Sequence, residues 1–195
     1  MARRREHDQE AARAGAVEAF RRSGYAATSL AELEEATGLD RRQLYNAYED
    51  KRGVFIKALE DFSSMAAARF LEPLEASAAD LDVIKSTLHA MVEMAGSDSG
   101  RLGCLICNTA REPIASSDAE VRDLVQHYFD RIERAYANAL KRACSSKQLT
   151  LTSARRRQAA RHLMATHVAL CVLARAGSPT ELLRDAAAAA LSTLQ

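Results

Sequence analysis

Apolar residues recur at helical rather than strand spacing along nearly the whole chain. Ala12, Ala16, Ala19 and Phe20 share one face of a first helix, which Gly24 stops. Ser29 followed by Glu32 reads as a capping box for a second helix, with Leu30 and Leu33 turned inward and Gly38 ending it. Asp40 with Gln43 opens a third over residues 41–48. Asp50 caps a fourth, whose stripe of Val54, Phe55, Ala58, Leu59, Phe62, Met65, Ala66 and Phe70 runs to the neighbourhood of Pro73. Beyond it the pattern predicts helices over residues 81–95, 102–112, 119–143, 154–176 and 180–194. The breaks between them are polar or carry helix breakers. The last break combines Gly177, Pro179 at a first helical position and Ser178 three before Glu181 as a cap. The expectation is an all-α fold of about nine helices, with a boundary near residue 52: a small three-helix unit over 1–52 and a helical domain over 53–195.

Composition agrees with helices: no Trp, three Pro, eight Gly and 48% hydrophobic residues. No stretch approaches the roughly 20 uncharged apolar residues of a membrane span, and Arg3, Arg4 and Arg5 follow Met1 with no apolar run behind them. The expectation is a cytoplasmic protein with no membrane partner, its four irregularly spaced Cys mostly thiols. A net charge of +1 argues against indiscriminate nucleic-acid binding, so any such case rests on where the charges lie. Arg3, Arg4 and Arg5 read either as a solvated charge run or as an arm for a minor groove.

The segment from Leu30 to Ala47 has the form of a helix-turn-helix. Leu33, Leu39 and Leu44 flank Gly38, which permits a left-handed turn, and the following helix presents Arg41, Arg42, Gln43, Tyr45 and Asn46 outward. Arg suits guanine, Gln and Asn suit adenine, a Tyr hydroxyl reaches phosphate, and free amides at a helix N-terminus favour an anion. A small helical bundle with a polar exposed helix would show the same pattern.

The wider string from Ala16 to Leu59 resembles the N-terminal domain of TetR/AcrR regulators. The matching features are Phe20 to Tyr25 around Gly24, Thr28, the turn from Ala36 to Leu39, Leu44 with Tyr45, the aromatic Tyr48, and Lys51 opening the long fourth helix. The resemblance implies that Thr28, Ser29, Tyr45, Tyr48 and Lys51 touch or support phosphate contacts, while Arg41, Arg42, Gln43 and Asn46 face a major groove. Tyr48 reads equally well as core. One departure is Glu34, four before Gly38, where such motifs usually place Ala. With Glu32 and Glu35 it makes the second helix acidic, which repels phosphate unless that helix stands back or pairs with Arg41, Arg42 or Arg52.

A single such unit reads too few base pairs, so two must be held about 34 Å apart. The candidate dimer face is Leu182, Leu183, Ala186, Ala187, Ala190, Leu191 and Leu194, with intrachain core as the competing reading. The segment from Gly103 to Glu112 resembles one that forms a wall of the effector cavity in a branch of these regulators. Cys104 and Cys107 fall three apart on one face, which suits either a redox or electrophile trigger or plain core packing. A cavity for an unknown small molecule would gather Met91, Met94, Cys104, Cys107, Asn108, Arg111, Tyr128, Met164 and His167; Arg111 and Glu112 would pair or orient an anion. One Cys pair offers two metal ligands and no His completes a set, so no metal and no cofactor are expected. No Ser-His-Asp set or phosphate loop suggests an enzyme. The resemblance implies a repressor, a homodimer on palindromic double-stranded operator DNA, released by an effector. The rivals are a thiol-switched repressor using Cys104 and Cys107, or a helical interaction module whose DNA binding is weak and salt-insensitive.

Overall fold

The computed structural model describes the backbone of residues 2–194 and the side chains of residues 9–194. Over these residues it is all-helical: α1 (Ala2–Ala27), α2 (Leu30–Thr37), α3 (Arg41–Tyr48), α4 (Lys51–Phe70), α5 (Glu72–Glu75), α6 (Leu81–Ala95), α7 (Asp98–Arg101), α8 (Leu105–Thr109), α9 (Pro113–Ser117), α10 (Ala119–Ser145), α11 (Ser153–Arg175) and α12 (Thr180–Ser192). The eight long segments follow the hydrophobic periodicity. The departures are local. The expected arm does not precede α1, which already begins at Ala2 and is interrupted at Gly24 (φ 78°, ψ 172°). The helix expected over 102–112 shrinks to α8, flanked by the short α7 and α9, because Gly103 turns left-handed at φ 71° and Pro113 opens a new first turn.

Local chemistry sets the three short N-terminal helices. Ser29 Oγ accepts from the Glu32 amide at 3.2 Å while Glu32 accepts from the Ser29 amide at 2.6 Å. Asp40 and Gln43 repeat the exchange at 2.8 and 2.9 Å, and Asp50 accepts from the Gly53 amide at 2.8 Å. Gly38 ends α2 in the left-handed region at φ 67°, as the turn demands. Ser178 does not cap α12, which opens behind Pro179 with no side-chain cap.

The boundary near residue 52 is not a linker. α4 starts at Lys51 and runs unbroken to Phe70, packing on α1 and α3 at one end and on α5, α8 and α10 further along. Phe20 meets Phe55 edge-on at 4.9 Å, and Tyr25 lies 4.8 Å from the same ring. One apolar cluster extends from Ala16 through α4 into the bundle of α6, α10, α11 and α12. α8, only five residues long, packs against α1, α4, α10 and α11 together, so it lies where the two units join.

Candidate nucleic-acid interface and effector cavity

Leu44, 1% exposed, anchors α3. From that anchor Arg41, Arg42, Gln43, Tyr45 and Asn46 all project outward. Arg41 lies with its guanidinium carbon 5.5 Å over the Tyr45 ring and an Nη2···Oη distance of 3.4 Å, so the two side chains share one exposed surface. Gln43 is already partly engaged, since its Oε1 accepts from the Asp40 amide. The first turn of α3 carries the Asp40 carboxylate as its cap, so the expected anion preference of that helix end meets a resident negative charge.

The supporting residues divide. Ser29 is exposed. Thr28 is 1% exposed and donates its hydroxyl to Gly24 O at 2.6 Å, so it holds the break at the end of α1 and its hydroxyl is unavailable to a phosphate. Tyr48 is half-buried against the core, in line with its alternative reading. Lys51 lies 4.7 Å over the Tyr25 ring, with Nζ 3.5 Å from Ala26 O. The side chains of Arg3, Arg4 and Arg5 lie outside the described residues. Arg52 does not neutralise the acidic α2: its Nε and Nη2 reach Asp118 at 2.5 and 3.0 Å, and Nη2 reaches Glu120 at 2.8 Å. Hydrogen bonds from Arg52 hold the Asp118 carboxyl down at about 2.

A cavity of about 180 Å³ opens between α4, α6, α10 and α11. Of the residues expected there, Met91, Met94, Cys104, Tyr128 and His167 line it. Cys107 sits behind Cys104. Asn108 donates to Leu102 O at 3.1 Å, Arg111 is exposed and Met164 is half-buried elsewhere on α11. Arg111 and Glu112 do not pair; Glu112 accepts instead from the Ala26 amide at 3.2 Å. Sequence reasoning missed Phe62, Ala66 and Phe70, whose stripe on α4 reads as plain core, and also Arg21, Leu170 and Cys171. The wall is apolar, with His167 Nδ1 3.3 Å from Tyr136 Oη in its depth. Burial brings the His167 imidazole down to about 4, so it is neutral at physiological pH.

Arg21 joins the cavity wall to α1. It is 8% exposed; Nε and Nη2 donate to Gly103 O at 3.1 and 2.7 Å, Nη2 to Ser99 O at 2.7 Å, and the guanidinium lies 5.2 Å over Phe62. Arg175 reinforces the join from α11 by donating to Arg22 O at 2.7 Å and Leu102 O at 3.3 Å. Beside Gly103 the expectation of only two thiols fails. Cys171 comes from α11 to Cys104 and Cys107, and the three Sγ atoms lie within 4.8 Å of one another. Hydrogen bonds from Cys107 and Cys171 hold the Cys104 thiol well below its usual value, while those two are pushed up.

Of the residues expected at a dimer face, Leu183, Ala187, Ala190 and Leu194 are buried within the chain itself, because the regular apolar stripe of α12 faces α6 and α11. Leu182, at 45% exposure, points outward, and Ala186 and Leu191 are half-buried.

No protein-family model matches the chain. YezE of Bacillus subtilis, an uncharacterised helix-turn-helix-type transcriptional regulator, is 27% identical over 194 residues, covering 100% of both chains. A TetR regulator structure from Rhodococcus, described as putative, is 27% identical with a TM-score of 0.59, covering 94% of this chain and 97% of its own. The chain is similar in sequence and fold to TetR-family regulators. A cysteine-substituted variant of the TetR-family regulator CifR, solved with 26-base-pair operator DNA, superimposes with a TM-score of 0.83 over 95% of this chain and 96% of its own, at 23% identity. YezE and CifR are both named as transcriptional regulators. No helix among the described residues is long and apolar enough to cross a membrane.

Proposed function

We propose that this protein represses transcription by binding a palindromic operator as a homodimer, one α3 in each of two successive major grooves, and is released when a small, mostly apolar molecule fills the cavity beside Arg21. The observation that carries this reading is the exposed row of Arg41, Arg42, Tyr45 and Asn46 on a helix anchored by Leu44, in a fold that operator-bound CifR also adopts. Thr28, Tyr48 and Lys51 then act by setting the end of α1 and the start of α4, with Ser29 as the exposed phosphate contact. Gln43 contributes its amide nitrogen, its oxygen being engaged.

The outer face of α11 and α12 suits the dimer contact. Ala165 and Ala169 on α11 and Leu182 and Ala189 on α12 are exposed, and small residues let a second copy approach closely. Release follows if the effector prefers a state in which α4 and α8 shift, since both touch α1 and the cavity region; the differential affinity for the two states sets its size. A thiol-based variant has its own support, because Cys104 borders the cavity and is the cluster's most acidic thiol. A repressor of this kind works in the cytoplasm, where its DNA is.

The test begins with duplex selection, followed by fluorescence anisotropy on the selected palindrome. Arg42→Ala is expected to weaken binding by roughly 1–3 kcal/mol and relax specificity, and Tyr45→Ala to lower the salt slope by about one unit. A monomeric protein, or one that prefers no palindrome over random DNA at moderate salt, overturns the reading. Weak, salt-insensitive binding points instead to an interaction module.

A further inference from the structure

We infer that Cys104, Cys107 and Cys171 form a three-thiol site for a trivalent, thiophilic metalloid of the arsenite kind. The inference goes beyond the cavity's role above and does not depend on operator binding. Three sulfur atoms within 4.8 Å of one another, two from the α8 region and one from α11, are assembled by the tertiary fold, so little ordering remains to be done on binding. Among the described residues no His, Asp or Glu joins the group.

Coordination number and charge select the occupant. Structural zinc takes four ligands in a tetrahedron, and this site offers three. Three thiolates around a divalent ion leave a net negative charge in a wall built from Met91, Phe70 and Leu170, where an unbalanced charge is costly. Arg21, a cation on the same cavity wall, already gives its donors to Gly103 O and Ser99. A trivalent metalloid forms three bonds to sulfur and keeps a lone pair, giving a neutral trigonal adduct. Arsenous acid is uncharged at neutral pH and small enough for a cavity of about 180 Å³ whose wall includes Cys104 and Cys171. The reaction is As(OH)₃ + 3 Cys–SH → As(S–Cys)₃ + 3 H₂O. Three As–O bonds break, three As–S bonds form, each thiol proton leaves with a hydroxyl as water, and no electrons are transferred.

The test uses reduced full-length protein without DNA. Arsenite is titrated by its sulfur-to-arsenic ultraviolet absorption, and arsenic retained after desalting is counted. One arsenic per chain is expected for the wild type and for Cys144→Ser, whose thiol lies outside the group. Cys104→Ala, Cys107→Ala and Cys171→Ala should each bind arsenite at least tenfold more weakly. Phenylarsine oxide, which takes only two thiols, should be retained by Cys107→Ala, and this also shows that the variant is folded. Unchanged arsenite affinity in Cys171→Ala overturns the three-thiol site. Displacement of bound arsenite by equimolar zinc or cadmium overturns the trivalent assignment.

Discussion

Replacing Arg21 by Met tests the join between the DNA-binding unit and the cavity. Arg21 is a buried cation whose partners are neutral: among the described residues it makes no ion pair, and its hydrogen bonds end on Gly103 O, Ser99 O and Ser99 Oγ. Burial pulls its guanidinium below the usual value, so the charge itself opposes folding. Met keeps much of the length and the contact with Phe62 and removes that desolvation cost. It also strands the buried Gly103 O, at about 1–3 kcal/mol for an acceptor left without a donor, while Ser99 O keeps the Leu102 amide, and it forfeits a cation–π contact of about 1 kcal/mol. The carbonyl loss outweighs the relief, for a net destabilisation of about 2 kcal/mol. With a urea dependence near 3 kcal/mol/M at this size, the midpoint falls by about 0.7 M. Arg22→Met is the control: its side chain is exposed and, among the described residues, pairs only with Glu18 within α1, so its change stays under about 0.5 kcal/mol. Arg21→Lys falls between, since an ammonium does not reproduce the fork that spans both carbonyls. Equal midpoints for Arg21→Met and Arg22→Met would refute the argument.

Gly15→Ala, stabilising by about 1 kcal/mol in an open helix, is here expected to cost about 1–3 kcal/mol, because the new Cβ would lie 1.9 Å from Ala36 O where α1 crosses the end of α2; a raised melting temperature contradicts that. Asp118→Ala should lower the melting temperature more than Arg52→Ala, since Asp118 caps the Glu120 and Val121 amides as well as pairing with the exposed Arg52; the reverse order would mean the ion pair dominates. His167 sits at about 4 when folded and near 6.5 when unfolded, so between those values the unfolded chain binds the extra proton. The stability from its neutral form is complete above about 6.5 and lost as pH falls toward 4, about 3 kcal/mol in all; urea unfolding of His167→Gln should be less pH-dependent across that window, and parallel profiles would rule the imidazole out.

The N-terminal unit was legible because its signals are local. Ser29 with Glu32, Asp40 with Gln43, and Gly38 each act within a few residues, and the structure keeps them where the sequence sets them. The readings that failed depend on what a helix packs against. Thr28 looked like a hydroxyl for phosphate until the break at Gly24 turned it inward, and the α12 stripe looked like a dimer face because a stripe does not say whether its partner is α6 or another chain.

The residues that sequence missed share one cause, and it bears on how the molecule works. Arg21, Phe62, and the α11 pair Cys171 and Arg175 come from three separate helices, α1, α4 and α11, between which no periodicity runs, yet they converge on the segment from Ser99 to Cys107. That segment is where the periodic pattern breaks, at Gly100 and Gly103. A Cβ on Gly100 would lie 1.9 Å from Met94 O, and Gly103 needs its left-handed backbone to aim its carbonyl at Arg21. A stretch whose expected helix is broken at Gly103 therefore carries the hydrogen bonds between α1, α11 and the cavity wall. A ligand bound beside Cys104 would sit one residue from the carbonyl that Arg21 holds, and Arg21 and Arg175 together tie that segment to α1.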